Sequence, residues 1–360
     1  MKHQFLSKSI WIVLLLSVAI SSCKKEPIVE PPIPKSPDTQ SYSMFSVDSS
    51  VIVINEGQFQ MGNSSIYHYN EVSQTLETSI YKAVNGIPLG DITQSMTVSD
   101  STGYIVVNNS APPKIEVMAM DSFNVKAIIT GFTSPRYFFP LGDGRAYVSN
   151  LFGGKIDIVN LSSNTITGSI SINSGWSEQM VKANGKIYVG LADTNLVAVI
   201  DPATDVVSRY ITVNKGPSGI VKDALNTIWV LSDGGWGSEF PELARIDPQA
   251  DTITERHTFT DINQSPSKLT LSPDGSKLYY LNGGVCQFNV QSGSIQAPYI
   301  SAPISGVFYG LGVNNDGSKI YVGDAIDFVQ NGKVYIYDAI SGSKIKEFST
   351  GVNPNGFVFL

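Results

Sequence analysis

Apolar and polar residues alternate in short runs from about residue 50 to the end of the chain. The sequence Lys-Ile-Tyr-Val occurs at 186–189 and again at 319–322, and related runs occur between them. Alternation with a period of two is typical of β-strands that have one buried face. Gly, Asn, Asp and Pro separate the runs, as in Ser-Pro-Asp-Gly at 272–275, and these residues favour tight turns. The pattern predicts an all-β fold of short strands.

The strand pattern repeats along the chain. Aligning the third residue of the recurring strand gives seven anchors with spacings of 41 to 54 residues: Ile52, Val106, Tyr147, Tyr188, Trp229, Tyr279 and Tyr321. One Asn or Asp follows an alternating strand in each unit: Asn70, Asp121, Asn160, Asp201, Asp247, Asn289 and Asp338. A period near forty residues with four strands in each unit predicts a β-propeller.

The two ends of the repeating region complement each other. Residues 51–54 (Val-Ile-Val-Ile) have the pattern of a second strand without a first, whereas 355–360 have the pattern of a first strand alone. Pairing them would complete one blade and remove the exposed edges of an open array. We therefore predict a seven-bladed β-propeller over residues 48–360, closed by its N- and C-terminal strands. Two β-sandwiches are the alternative.

The first 47 residues have a different composition. Lys2 and Lys8 precede and flank an apolar run that is too short to span a bilayer, and we predict a lipoprotein signal peptide over 1–22. It ends before Cys23, in a context that resembles a bacterial lipobox, so we expect Cys23 to be acylated and 23–47, with five prolines, to be an extended tether. An ordinary signal peptide is the alternative. This predicts a folded domain that is held at a membrane by a lipid anchor.

The charge and cysteine content narrow the function classes. The formal net charge is −7 and 15% of residues are charged, without the Lys and Arg clusters that phosphate contacts need, so we expect no nucleic-acid partner. With Cys23 acylated, Cys286 has no partner for a disulfide and is expected to be a small buried residue.

Antiparallel blades place the loops between second and third strands, and the links between blades, on one face of the disk. Those segments vary in length and content, as expected where a ligand binds. Their aromatic, amide and charged side chains suit a large flat amphipathic ligand or a sugar. The candidate ligand-binding residues are Asn55, Phe59, Gln94, Asn108, Arg136, Tyr137, Asn150, Phe152, Trp176, Gln179, Trp236, Phe240, Tyr309, Asp324 and Phe328.

Candidate catalytic residues are few. After removal of the signal peptide, His68 and His257 are the remaining histidines, and both lie in predicted outer strands. They support neither a Ser-His-Asp triad nor a metal site, although Glu178 and Asp193 could form a carboxylate pair. We therefore expect no enzymatic activity, no metal and no cofactor. A propeller-type lyase or lactonase is the alternative.

Several short segments resemble a known group of proteins. They are Val-Ile-Asn-Glu-Gly at 53–57, Gly-Asn-Ser-Ser-Ile at 62–66, Gly-Asp-Ile-Thr-Gln-Ser-Met at 90–96, Ser-Pro-Arg-Tyr at 134–137, Gly-Trp-Ser-Glu-Gln-Met at 175–180 and Gly-Pro-Ser at 216–218. With them, nearly the whole mature chain resembles the propeller lipoproteins of the Bacteroidota cell surface and the wider YncE-like and YVTN-repeat propellers. That resemblance implies seven blades and a lipid-anchored location in the outer membrane, on the cell surface.

Within that group, the Asn-Glu-Gly segment resembles surface lipoproteins that capture vitamin B12 and pass it to a TonB-dependent transporter. This implies cobalamin as the ligand, nutrient uptake as the function, and an outer-membrane transporter as a partner. A glycan or another protein would be satisfied by a similar aromatic and amide surface, so both remain alternatives.

Overall fold

A computed structural model describes residues 49–360, which form seven antiparallel sheets of four strands each. The innermost strands of neighbouring blades contact each other in a closed cycle, including the last blade with the first. This confirms the prediction of an all-β, seven-bladed propeller. The predicted signal peptide 1–22, the tether 23–47 and Cys23 lie outside the described residues.

Each blade has strands A to D from the axis outward. The A strands are β4 (Thr93–Ser99), β8 (Pro135–Pro140), β12 (Ser177–Ala183), β16 (Pro217–Lys222), β20 (Ser267–Leu271), β24 (Phe308–Val313) and β28 (Pro354–Phe359). The B strands are β5 (Thr102–Val107), β9 (Arg145–Asn150), β13 (Lys186–Leu191), β17 (Ile228–Ser232), β21 (Lys277–Leu281), β25 (Lys319–Asp324) and β1 (Ser50–Asn55).

The outer two strands complete the blades. The C strands are β6 (Lys114–Ala119), β10 (Lys155–Asn160), β14 (Leu196–Asp201), β18 (Glu242–Asp247), β22 (Gly284–Asn289), β26 (Asn331–Asp338) and β2 (Ser65–Asn70). The D strands are β7 (Val125–Thr130), β11 (Thr165–Ser171), β15 (Val206–Thr212), β19 (Thr252–Thr258), β23 (Ile300–Ser301), β27 (Lys344–Val352) and β3 (Leu76–Glu77). A short helix, α1 (Ile80–Asn85), lies in the link between β3 and β4.

The closing blade contains both ends of the described chain. Strand β28 pairs with β1 so that Val51 lies opposite Phe359, and the Leu360 N–H donates to the Ser50 carbonyl over 2.9 Å. Gly323 lies beside this strand, and a Cβ there would be 2.2 Å from the Pro354 carbonyl oxygen. The pairing of β28 with β1 confirms the closure predicted from the complementary ends, and the closing strand also packs directly against bare backbone at Gly323.

The B strands supply the most buried aromatic residues, and their polar atoms connect neighbouring blades. The Tyr188 hydroxyl donates to Asp251 of the next blade, whose carboxylate also accepts from Lys186 at 2.6 Å. Tyr147 and Tyr321 donate in the same way to Asp205 and Glu71. These bonds satisfy phenol groups that burial would otherwise leave unpaired.

One repeat anchor is corrected. Tyr104, not Val106, occupies the position of Tyr147 and Tyr188, because each of these three lies opposite the fourth residue of its C strand. Apolar residues continue to the end of β5, so alternation alone did not fix the register of that blade.

The turn markers act as predicted in most blades. The Asn160 side chain accepts from the backbone N–H groups of Ser162 and Ser163, and Asp338 accepts from Ile340 and Ser341. Such bonds start a turn by replacing backbone partners. Cys286 is fully buried, as expected. Within residues 49–360, no helix has the length and apolar character needed to cross a membrane.

Candidate functional site

A β-bulge interrupts the A–B ladder near the start of every A strand. In each blade the register shifts at the second residue of strand A, and a bulge re-aims the side chain that it carries. We call the seven second residues the bulge ring: Gln94, Arg136, Glu178, Ser218, Lys268, Tyr309 and Asn355. The repeated bulge thus takes the second residue of strand A out of the regular pairing in every blade, together with the third residue in β8, β12 and β20.

Six members of the bulge ring line one axial cavity of about 600 Å³, a volume in the range of small-molecule sites. Asn355 is buried and contacts the cavity indirectly, because its amide donates to Glu56 at 3.2 Å. Tyr137, Trp176 and Trp236 add aromatic surface to the walls, and Asp193, Lys215 and Asp233 add charged groups near the mouth. The cavity therefore combines flat apolar surfaces with converging polar groups.

Arg136 and Glu178 form an ion pair in the cavity wall. The Arg136 Nε and Nη2 atoms donate to Glu178 Oε1 at 2.9 and 2.6 Å, and Arg136 also donates to Gln94. Trp176 donates its indole N–H to the same Glu178 oxygen. Burial disfavours the Arg136 charge, but the Glu178 carboxylate outweighs it and raises the Arg136 pKa above its usual range. The Arg136 guanidinium is therefore held in the cavity wall by hydrogen bonds to Glu178 and Gln94.

Glu56 and Tyr309 form a second polar pair. The Tyr309 hydroxyl donates to Glu56 Oε2 at 2.6 Å. Burial, followed by the negative charge of Glu56, raises the pKa of Tyr309 above its usual range. Tyr309 therefore enters the cavity as a neutral phenol, and its ring packs edge to face against Phe328 at 5.3 Å between ring centroids.

The cation of Lys268 lies 5.1 Å from the centre of the Tyr309 ring. No hydrogen bond or ion pair joins its Nζ to another residue in the part of the chain that the structure describes. Burial lowers the pKa of Lys268, an effect that Glu56 opposes and Arg136 reinforces. The ammonium is thus exposed to the cavity without a partner of its own.

The structure brings seven of the predicted ligand-binding residues together in the cavity wall: Gln94, Arg136, Tyr137, Trp176, Gln179, Trp236 and Tyr309. Glu178 and Asp193, considered as a carboxylate pair, also line it. His68 and His257 lie on β2 and β19, outside the cavity lining.

Four predicted residues serve the fold instead of lining the cavity: Asn55, Asn108, Asn150 and Asp324. Asn55 accepts from the Thr350 hydroxyl at 2.8 Å, Asn108 donates to the Pro135 carbonyl at 2.9 Å, and Asn150 donates to Asp157 at 3.0 Å. Asp324 accepts from the backbone of Val307 at 2.7 Å. Their polar atoms form hydrogen bonds with residues at strand ends and in the links between blades.

The remaining predicted aromatics are exposed around the same face. Phe59, Phe152, Phe240 and Phe328 are each more than 40% exposed, with Met61, Ile304 and Val329 in the same loops and links. These side chains surround the mouth without lining the cavity. An apolar rim of this kind is available to a ligand larger than the cavity.

The prediction missed Lys268, Ser218, Asn355 and Glu56. Lys268, Ser218 and Asn355 share a signal with Arg136 and Glu178: each follows a Ser or Pro that begins strand A. Aligning those strand starts, and not the loops alone, would have collected the bulge ring. Glu56 directly follows Asn55 but carries no repeat signal.

The chain belongs to the family described as "Domain of unknown function (DUF5074)", whose sequence model matches residues 49–360. No curated protein matches the sequence. The more specific resemblance to YncE-like propellers and to vitamin B12-capturing lipoproteins is not confirmed and stays a prediction.

Solved propellers share the fold. A quinonprotein alcohol dehydrogenase-like protein from Bacteroides thetaiotaomicron has a TM-score of 0.69 at 14% identity, over 87% of this chain and 78% of that one. A putative 6-phosphogluconolactonase from Bacteroides fragilis has a TM-score of 0.64 at 14% identity, over 88% and 99%. The periplasmic gluconolactonase of Pseudomonas aeruginosa has 0.63 at 13%, over 86% and 99%.

These comparisons correct the expectation that the protein has no enzymatic activity. Propellers described as gluconolactonases share its fold, so the lack of a His-based triad was too narrow a reason to exclude catalysis. At these identities the likeness establishes the fold alone, and the activity of the relatives belongs to them.

Proposed function

We propose that the protein is a lipid-anchored, cell-surface propeller that captures a polar, ring-containing nutrient in its axial cavity for uptake through a TonB-dependent transporter. The observation that carries this proposal is the bulge ring. Six of the seven blades place the second residue of strand A in the wall of the same axial cavity, where aromatic surfaces and fixed polar groups favour a flat ligand with hydrogen-bonding substituents.

The position of the chain ends supports presentation of the cavity away from an anchor. Strand β1 starts at Ser50, opposite the end of β28, whereas the cavity lies near Asn55 and Pro354 at the other end of the same strands. A tether that precedes residue 49 would therefore join the face opposite the mouth. Replacing Cys23 by serine should abolish incorporation of labelled palmitate and release the protein from the membrane fraction. Unchanged labelling would remove the anchor from the proposal.

Cobalamin and glycans are the ligand candidates. Cobalamin is broader than a drug-sized ligand, so it would cover the mouth and contact the apolar rim while inserting one edge into the cavity. We expect cyanocobalamin to co-elute with the protein on gel filtration and to quench the fluorescence of Trp176 and Trp236, whereas Trp229 is fully buried. A Trp236→Ala variant should lose part of the quenching. Absence of co-elution and quenching would remove cobalamin and leave glycans.

Lactone hydrolysis is a second candidate, favoured by the presence of Glu56, Glu178 and Arg136 in one cavity. A carboxylate could accept a proton from the attacking water while the guanidinium stabilises the oxyanion. D-Glucono-δ-lactone should then be hydrolysed faster than its spontaneous rate, and Glu56→Gln or Glu178→Gln should abolish the difference. Equal rates with and without the protein would eliminate this activity for that substrate.

A further inference from the structure

Lys268 lies in the left-handed region of backbone conformation, with φ at 57°. This conformation is unfavourable for a residue other than glycine, and such strain persists where the surrounding structure holds the residue in place. Here the bulge of β20 holds it, between Ser267 and Thr270. The strained position directs a long cationic side chain into the axial cavity instead of into the strand ladder.

The other charged members of the bulge ring are paired with each other, and the Glu56 carboxylate beside the ring has hydrogen-bond donors of its own. Arg136 and Glu178 neutralise each other at 2.6 Å, and Glu56 accepts from Tyr309 and Asn355. Lys215 also faces the cavity, but it is exposed, so water solvates it. Lys268 is half-buried, and within residues 49–360 its ammonium has no hydrogen-bond or ion-pair partner and lies over the face of the Tyr309 ring.

A half-buried ammonium without a carboxylate partner keeps part of its desolvation cost. A ligand that brings an anionic group recovers that cost and gains a charge-assisted hydrogen bond. The neighbouring charges permit this, because the Glu178 carboxylate is paired with Arg136, and the Glu56 carboxylate already accepts hydrogen bonds from Tyr309 and Asn355. Asp193 and Asp233 also line the cavity, so an anion is favoured beside Lys268 and not beside these two residues.

We infer that Lys268 is the anchor for an anionic group of the ligand, a carboxylate or a phosphate, whose ring then lies against the aromatic walls of the cavity. This inference rests on the proposed function and specifies the ligand's charge. A neutral nutrient would leave the Lys268 ammonium as it is in the free protein.

The test compares ligands that differ at one position. D-Glucose, D-glucuronate and D-glucose 6-phosphate share a ring and differ in the group on C5, and the galactose series repeats the comparison with the C4 hydroxyl inverted. Binding is measured by titration calorimetry at fixed ionic strength. We expect an anionic member to bind at least about tenfold more tightly than its neutral parent, as one charge-assisted bond allows. The carboxylate and phosphate arms identify which anion is preferred.

Three variants separate Lys268 from general charge effects. Lys268→Met should abolish the preference for the anion, and Lys268→Arg should retain most of it. Lys222→Met makes the same charge change on an exposed residue at the end of β16 and should leave the preference unchanged. Equal affinity for neutral and anionic members, or an unchanged preference in Lys268→Met, would overturn the inference while leaving the proposed function standing.

A second readout does not depend on a sugar. Pulse acetylation of the folded protein with acetic anhydride, followed by mass spectrometry, should label Lys268 faster than Lys186, whose ammonium is paired with Asp251. Inorganic phosphate should slow labelling at Lys268 but not at Lys222. If no sugar binds and phosphate gives no protection, the inference fails. Cyanocobalamin binding that is equal in wild type and Lys268→Met would then show that the proposed function survives without it.

Discussion

Replacing Glu178 by leucine removes the carboxylate that accepts two hydrogen bonds from Arg136 and one from Trp176. Glu178 is 3% exposed and Arg136 is 18% exposed, so the guanidinium left behind is mostly screened from bulk water. Removing one partner of a buried pair costs about 3–5 kcal/mol. Because the cavity gives Arg136 some access to water, we expect the lower end, about 3 kcal/mol.

That cost is measurable by thermal unfolding. For a domain of roughly 310 residues, the entropy of unfolding converts about 3 kcal/mol into a fall in midpoint of about 5 °C. Circular dichroism during heating gives the midpoint, and urea unfolding gives an independent free energy. Glu347→Gln is the control: it breaks the exposed pairs with Lys333 and Lys344, and we expect no measurable change.

The double variant Arg136→Met/Glu178→Leu shows whether the loss of stability comes from the unpaired Arg136 charge or from lost packing. It removes the isolated charge together with its partner, and apolar replacement of a buried pair is often close to neutral. We expect it to recover stability to within about 1 kcal/mol of wild type. If Glu178→Leu alone is as stable as wild type, water in the cavity solvates Arg136 fully. If the double variant is less stable than either single variant, packing of the two side chains matters more than their charges.

Further outcomes can be measured on the same protein. Tyr188→Phe should lower the urea unfolding free energy by about 1–2 kcal/mol, because the Asp251 carboxylate loses a buried donor. Deleting 354–360 should cause aggregation, visible on gel filtration beside the wild-type protein, since it exposes both the edge of β1 and the core beneath it. Burial raises the pKa of Cys286 to about 11, so a thiol reagent at about pH 8 should react only after unfolding. Burial, reinforced by Asp251, raises the pKa of Tyr188. Above about pH 10 the unfolded state therefore releases a phenol proton that the folded state retains. The urea midpoint should fall as the pH rises beyond that value.

The sequence was sufficient to predict the blades because each repeat carries its own local signals. Alternation located the B strands, and an Asn or Asp such as Asn160 marked the turn after strand C. The complementary ends predicted closure because a lone A strand and a blade lacking one can satisfy each other. The register of one B strand could not be predicted. Its apolar residues follow one another without alternation, so the pattern did not show that Tyr104 is equivalent to Tyr147.

The part of the candidate site that was predicted is the part contributed by the links between blades. Gln94, Arg136 and Tyr309 lie where a link enters strand A, so a search of links included them. Lys268 was assigned to the strand itself, because a bulge leaves no trace in the alternation of apolar residues. Conversely, Asn150 lies at the end of a B strand as expected, but its amide turns toward Asp157 and the strand backbone. Sequence gives a polar group's position but not its partner.

Residues of the bulge ring contribute side chains to the cavity without taking part in the regular strand pairing of the blades. A bulged residue lies outside the regular ladder, so its side chain can change without loss of the A–B pairing on either side. Replacing Ser218 or Lys268 leaves no ion-pair partner unpaired, whereas replacing Arg136 or Glu178 leaves the other charge without its partner. Substitutions at 218 and 268 should therefore alter ligand preference with little effect on stability, and substitutions at 136 and 178 should affect both. A propeller with this architecture can change its ligand at the former positions while the latter hold the cavity wall in place.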